Sequence, residues 1–451
     1  MDNASPLFSQ QKLRGIIWPL LTEQLLTVLV GMIDVLMVAQ IGESAVSGVS
    51  LVDSVNHLFI MALLALTTGG TVVTAKAIGS ADRERSSKAS AQLFFSAVTV
   101  MTLISILIVA FRAPLVRTAF GKAEEAVLDN AVRYLFYTGI SFPFLAAYQS
   151  GSAVFRAKGN TRLSMRVALG MNILNIAGNA LCIFVLGMGV EGVAVPTLIA
   201  RAAAGTVMVF FVQRDADLRI ASLSTMRPDG RVLGEILSIG VPASLESALF
   251  NLGKVMLQSL VSTLGTASIA AYAVASNLVN YLYLPGNAIN AAMTTVVGQC
   301  WGAGRTDEAR GYVRKLIMLN YLMLLVIATG AALLRHTLVG FYNLSGEAAV
   351  YAAALLLSHC TAMLIWPLAF DLPYYFRATS RAAYTMTVAL SAMAVFRVGL
   401  SYFFVGQLGK SVLWVWYAMF ADWIFRSLIF VPRFLKDERT GYSAGSGVNG
   451  Q

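Results

Sequence analysis

Twelve apolar stretches, each long enough to cross a bilayer, follow one another along this 451-residue chain with only short connections between them. A hydrocarbon core ~30 Å thick takes about 20 helical residues to span. The stretches fall at 16–40, 46–78, 89–111, 127–155, 164–187, 192–213, 233–264, 268–300, 312–334, 347–376, 384–406 and 411–434. Hydrophobic residues make up 57% of the chain and charged ones 12%. That is too little charge to cover a water-soluble surface of this size, so lipid has to act as solvent. At bilayer depth each backbone polar group must be satisfied inside its own segment, which leaves helices. The sequence therefore reads as an all-α membrane protein with 12 transmembrane helices. No connection is long enough to hold a soluble catalytic or nucleotide-binding domain, so no enzyme is expected.

The net charge of +10 does not point to nucleic acid, because the basic residues form neither a face nor a tail. They collect in alternate connections. One side receives Lys12, Arg14, Lys76, Arg83, Arg85, Lys88, Arg156, Lys158, Arg162, Arg166, Arg214, Arg219, Arg227 and Arg231, and in the second half Arg305, Arg310, Arg314, Lys315, Arg377, Arg381, Arg433, Lys436 and Arg439. The other side receives Arg112, Arg117, Lys122, Arg335 and Lys410. The positive-inside rule then places both termini in the cytoplasm of a multi-pass protein of the bacterial inner membrane. Residues 1–15 are polar and the first apolar run is too long for a signal-peptide core, so no cleavable signal is expected. Cys182, Cys300 and Cys360 are far apart within apolar stretches and suggest neither disulfides nor a zinc site.

The two halves match each other. Trp18-Pro19-Leu-Leu-Thr-Glu23 returns as Val241-Pro242-Ala-Ser-Leu-Glu246, and Gly42 returns as Gly265, both at an offset of 223. Thr71-Val-Val73 returns as Thr295-Val-Val297, and Phe155-Arg156-Ala157 as Phe376-Arg377-Ala378. Six helices per half insert both copies the same way up, giving two pseudo-symmetric six-helix bundles. The expected division is an N-terminal lobe at 1–220, a cytoplasmic inter-lobe linker including 221–232, a C-terminal lobe at 233–440 and a disordered tail at 441–451.

An ionisable group at bilayer depth costs several kcal/mol and is a functional candidate. The first helix carries Glu23 and Asp34; eleven residues rotate a helix by about 1100° and climb about 16 Å, so both acids share one stripe. Glu246 lies one turn after Pro242, whose ring frees a backbone carbonyl near the carboxylate. Asp371 lies between Pro367 and Pro373, where irregular backbone is tolerated if it lines a cavity. Asp34, Glu23, Glu246 and Asp371 are thus candidate ion-coupling groups, for a proton or for Na⁺ held at Glu246, Asp371 or Asp34. Lys254 is a candidate cavity residue or a structural partner for Glu246 or Asp371. Asp53 and His57, one turn apart, can relay a proton or make a plain polar contact. Asn172, Asn175 and Asn179 share one broad face and suit a polar cavity lining. Tyr272 and Trp366 offer aromatic surface to flat cations, or simply packing. Arg133, Arg201, Arg397, Asp422 and Arg426 read as structural, and His359 as a packed polar residue. No phosphate-cradling loop, HExxH, GxSxG or Cys/His cluster is present, so no catalytic residue or cofactor is assigned.

Gly31-Met-Ile-Asp34 with Gly42 eight residues on, Leu264-Gly-Thr-Ala-Ser-Ile-Ala-Ala271 with Val297-Gly-Gln-Cys-Trp-Gly-Ala-Gly304, and Arg156-Ala-Lys-Gly-Asn-Thr161 together resemble the multidrug and toxic compound extrusion (MATE) family. The resemblance covers essentially residues 16–435. It implies a secondary active antiporter that exports small cationic or amphiphilic organic compounds in exchange for Na⁺ or H⁺ by alternating access, as a monomer in the bilayer. Asp34 matches the family's first-helix acid. The chain departs from the pattern in having Asn179 where some members place a second fifth-helix acid, and Phe250 where sodium-type members place the seventh-helix acid. The alternative is a lipid-linked precursor flippase of the same superfamily, with Arg133, Arg201 and Arg397 holding a phosphate.

Overall fold

The computed structural model describes residues 5–220 and 227–442; most of the expected tail and half of the 221–232 linker lie outside the described residues. Helix follows helix throughout: α1 Gln10–Ala39, α2 Glu43–Gly79, α3 Arg83–Phe120, α4 Glu125–Ala157, α5 Thr161–Ala180, α6 Glu191–Arg214, α7 Gly230–Ser262, α8 Thr266–Leu282, α9 Leu284–Gly302, α10 Thr306–Leu333, α11 Arg335–Gly340, α12 Gly346–Ala362, α13 Trp366–Phe370, α14 Leu372–Ala378, α15 Ala382–Ala392 and α16 Leu413–Arg439. Every one of the twelve predicted spans is occupied by helix. Among the described residues nine helices are long and apolar enough to cross a membrane, ten if Gly346–Ala362 and Trp366–Ala378 count as one bent span. The remaining two predicted spans are α4, and α8 with α9, which break at Tyr283.

Local chemistry sets the boundaries. Ser9 caps α1 by accepting from the Lys12 amide, and Asp82 caps α3 by accepting from the Arg85 amide. Pro114 removes a hydrogen bond from α3, and the helix kinks three residues earlier at Phe111 (φ −109°, ψ 16°). Gly42 and Gly265 precede α2 and α8 with φ of 134° and 89°, a backbone that side chains with a Cβ rarely adopt. The repeated glycines in the sequence are thus two copies of one turn. α5 and α15 both run on into π-helical turns, at Leu181–Val185 and Met393–Gly399.

The chain divides into two compact units between Val241 and Pro242, inside α7, with the residues up to Leu7 joining the second unit. In the first unit α2 meets the start of α7 at backbone distance: a Cβ on Gly69 would lie 1.9 Å from the Ile236 carbonyl oxygen, and one on Gly240 1.8 Å from that of Ala65. Small residues one turn apart permit this approach, the usual device where lipid supplies no hydrophobic drive. The connection after α6 is pinned by Lys158 to Asp215 (2.7 Å) and Asp217 (2.8 Å) and by Arg83 to Asp217 (3.1 Å). The hydrogen bond from Lys158 holds the Asp217 carboxyl below the ordinary carboxylate range. Gln92, fully buried, donates to the Arg227 carbonyl and accepts from the Asp229 amide. In the second unit the core is aromatic: Tyr283, Trp416, Phe420 and Trp423 surround His359, and Trp366 stacks on Tyr283.

The α2–α7 crossing is testable. Gly240→Ala should lower the melting temperature of the purified protein by several degrees, whereas Gly234→Ala, whose Cβ meets open space, should be neutral or stabilising by about 0.5–1 kcal/mol. Equal melting temperatures for the two variants would refute the close approach.

Candidate functional site

Between α1, α2, α4, α5 and α6 the first unit holds a partly open cavity of about 480 Å³. Asp34, Asp53, Tyr134, Asn172, Asn175, Thr197 and Arg201 supply its polar lining, with Gly31 and valines between them. Asp34 accepts from Asn179 Nδ2 at 2.9 Å and makes no ion pair among the described residues. Asn175 donates to Thr197 (3.0 Å), and Arg201 donates to Ser141 (2.7 Å). Two carboxylates therefore share the cavity with one guanidinium, which leaves it acidic when both are ionised. Arg201 reads as a structural cation from the sequence, and its place in this lining is a contact that spacing alone does not reveal. His57 sits one turn beyond Asp53, exposed and outside the lining.

The other first-helix acid behaves differently. Glu23 faces Arg156 at 3.3 Å, and its repeat counterpart Glu246 faces Arg377 at 2.8 Å. Both arginines sit in the last turn of a helix, α4 and α14, where the helix dipole favours a cation. Both members of each pair recur in the sequence at nearly one offset, 223 for the glutamates and 221 for the arginines, which marks them as repeated without saying that they meet. Lys254, one of the partners expected for Glu246, instead stands 5.1 Å from the Phe250 ring centroid.

Asp371 is fully buried where the two-proline segment breaks, at the junction of α13 and α14, and the bend between α12 and this segment is 72°. It accepts from Asn320 Nδ2 at 2.8 Å, while its Oδ1 has no hydrogen-bond partner. Each unit thus holds a carboxylate whose hydrogen-bond donor is an asparagine amide rather than a cation. Trp366 is buried in the core, stacked with Tyr283 and Phe370, in space left by Gly286, and not at an open surface. Tyr272 packs edge-on against Trp416. His359 is a buried polar residue that meets the Tyr283 hydroxyl at 3.0 Å, as the sequence suggested.

Three cations approach Phe250: Arg397 at 4.8 Å, Lys254 at 5.1 Å and Arg426 at 5.9 Å. Asp422 neutralises Arg426 at 2.8 Å. Among the described residues no carboxylate reaches Arg397 or Lys254. A ring face contributes about 0.5–2 kcal/mol to a cation, less than the several kcal/mol that removing a charge from water costs.

Residues 19–181 and 242–403 each match the family model MatE, the second copy beginning at Pro242 as the first begins at Pro19. The chain belongs to the MatE family. Among its relatives is the uncharacterized transporter YisQ of Bacillus subtilis, 26% identical over 428 residues and covered to 92% on both chains. The probable multidrug resistance protein NorM of Thermotoga maritima is 24% identical over 428 residues, covering 92% of this chain and 90% of NorM. A crystal structure of MATE in complex with MaL6 superposes with a TM-score of 0.87 at 20% identity, covering 95% of this chain and 96% of that one. This MatE protein is accordingly a multi-pass membrane transporter with the MATE fold; family and fold are those of transporters and not of enzymes.

The Glu–Arg pairs can be tested apart from transport. Glu246→Gln leaves Arg377 buried without its counter-charge, a loss of about 3–5 kcal/mol for a buried pair. Its melting temperature should fall, and the double variant Glu246→Gln/Arg377→Gln should regain most of the loss. A single variant as stable as wild type would remove the structural role.

Proposed function

We propose that this protein exports small organic compounds, cationic or amphiphilic, by alternating access in exchange for protons, with Asp34 as the coupling group. The observation that carries the reading is an acidic cavity containing a carboxylate that forms no ion pair among the described residues. Asp34 holds one amide N–H and cavity space; a proton arriving there discharges the site, and its departure restores a negative lining that attracts a cationic substrate. Reciprocal effects of ion and substrate follow if each prefers a different state of the protein. Na⁺ is the less favoured ion at this position, because Asn179 turns its N–H and not an oxygen toward Asp34. Asp53 and Arg201 set the cavity's charge. Asp371, with one oxygen unpartnered, is a second candidate cation site. Glu23 and Glu246, each beside an arginine, serve as structural latches in this reading.

The names of the multidrug relatives support drug export over the lipid-precursor flippase, as does an arginine in the first cavity outnumbered by carboxylates. The Lys/Arg distribution supports cytoplasmic termini, and the protein acts as a monomer. The test is purified protein in liposomes loaded with a fluorescent organic cation, under an imposed H⁺ or Na⁺ gradient. Efflux should follow the H⁺ gradient, and Asp34→Asn should cut coupled flux at least about tenfold, as losing a charge-assisted contact does. Flux driven by Na⁺ alone, or a fully coupled Asp34→Asn variant, would overturn the assignment.

A further inference from the structure

Among the described residues, the carboxylates buried within the second unit's spans, Glu246, Asp422 and Asp371, each have a partner. Arg377 holds Glu246, Arg426 holds Asp422, and Asn320 binds Asp371. Two cations facing the Phe250 ring, Arg397 and Lys254, have no carboxylate partner among the described residues. Arg397 lies in the π-helical turn Met393–Gly399, a backbone irregularity frequent at functional positions. It is only 7% exposed, and its Nε has no hydrogen-bond partner. Lys254 stands above the same Phe250 ring as Arg397, on the exposed side of α7. Two like charges on one ring repel each other, so the ring cannot satisfy both.

The internal repeat adds an independent argument. At the offset that relates Glu23 to Glu246, Lys254 takes the register of Gly31, which lines the first unit's cavity, and buried Leu257 takes that of Asp34. The helix face that presents an acid in one half presents an ammonium in the other. A guanidinium fork beside an ammonium matches a carboxylate, which can accept from both. The exposed apolar side chains of Leu252, Val255 and Met256 flank Lys254 and suit an apolar or aromatic body.

We propose that Lys254, Arg397 and Phe250 form an anion subsite that takes the carboxylate of an aromatic organic acid or zwitterion. That such a ligand is cargo rests on the export reading; that it binds does not.

The experiment uses full-length protein in phosphatidylcholine nanodiscs, with 2-naphthoate and its neutral isostere 2-naphthamide as probes. Wild type should prefer the acid by about tenfold or more, the range of charge-assisted contacts. Lys254→Gln and Arg397→Gln should each abolish the preference, while Lys254→Arg and the exposed control Lys410→Gln keep it. Because Arg397→Gln can misfold, the exposed Lys254→Glu provides a second route and should reverse the preference. Equal binding of acid and amide by wild type, or a preference that survives in Lys254→Gln and Lys254→Glu, overturns the proposal. Replacing chloride by gluconate should leave the affinity unchanged; naphthoate binding seen only without chloride would assign the site to an inorganic anion and overturn the organic one. Absent cation efflux with intact naphthoate selectivity sinks the export reading alone, and the converse sinks the subsite alone.

Discussion

The scaffold depends on a charge problem that is solved twice. A glutamate one turn after a proline in the first helix of each half meets an arginine in the last turn of the fourth span, as Glu23–Arg156 and as Glu246–Arg377. Neither partner is affordable alone inside a lipid-embedded bundle. Together, with the arginine also offsetting the negative end of its own helix, they tie the first span to the fourth. In the first half the neighbouring Thr161 hydroxyl donates to the carbonyls of Gly15 and Ile16, so the start of α5 is fastened to the same place. Once those ends are fixed, the cavity lining further along α1 and α5 has a defined position. Asp34 meets Asn179 because Glu23 and Thr161 hold the two helices at their other ends.

What the sequence made legible follows from what repeats locally. Apolar length marked the spans, and the offsets of Pro19, Glu23, Gly42 and Arg156 marked the duplication. The glycine offset proved to be a backbone requirement, a positive φ at the same turn in both halves. Pro367 and Pro373 announced the broken segment that carries Asp371, because a missing N–H has a purely local effect. Glu23 and Glu246 were recognised as buried acids, but their partners were not, since nothing in residue spacing says which loop-end arginine turns inward.

The aromatic residues and Arg201 mark the same limit from the other side. Trp366 on an apolar span is compatible with a binding surface or with a core; only the space left by Gly286 and the stacking on Tyr283 and Phe370 decide for the core. Arg201 on α6 read as a structural cation. Its side chain reaches Ser141 on α4 and the cavity holding Asp34 and Asp53, a meeting of four helices that one-dimensional periodicity does not encode.

Duplication also separates scaffold from chemistry. A charge that recurs in both halves together with its partner is neutralised in the same way twice and cannot make the halves differ. Asp34, Arg201, Lys254 and Arg397 each occur in one half only, and none of them forms an ion pair among the described residues. In the register of the repeat, Asp34 corresponds to Leu257 and Lys254 to Gly31. One helix face has thus been given opposite polarity without disturbing the proline, the glutamate or the glycine that set its geometry. Since an unpaired charge at this depth is costly to keep, its presence in one copy alone argues for a ligand that only that copy meets: a cation at Asp34, an anion at Lys254 and Arg397.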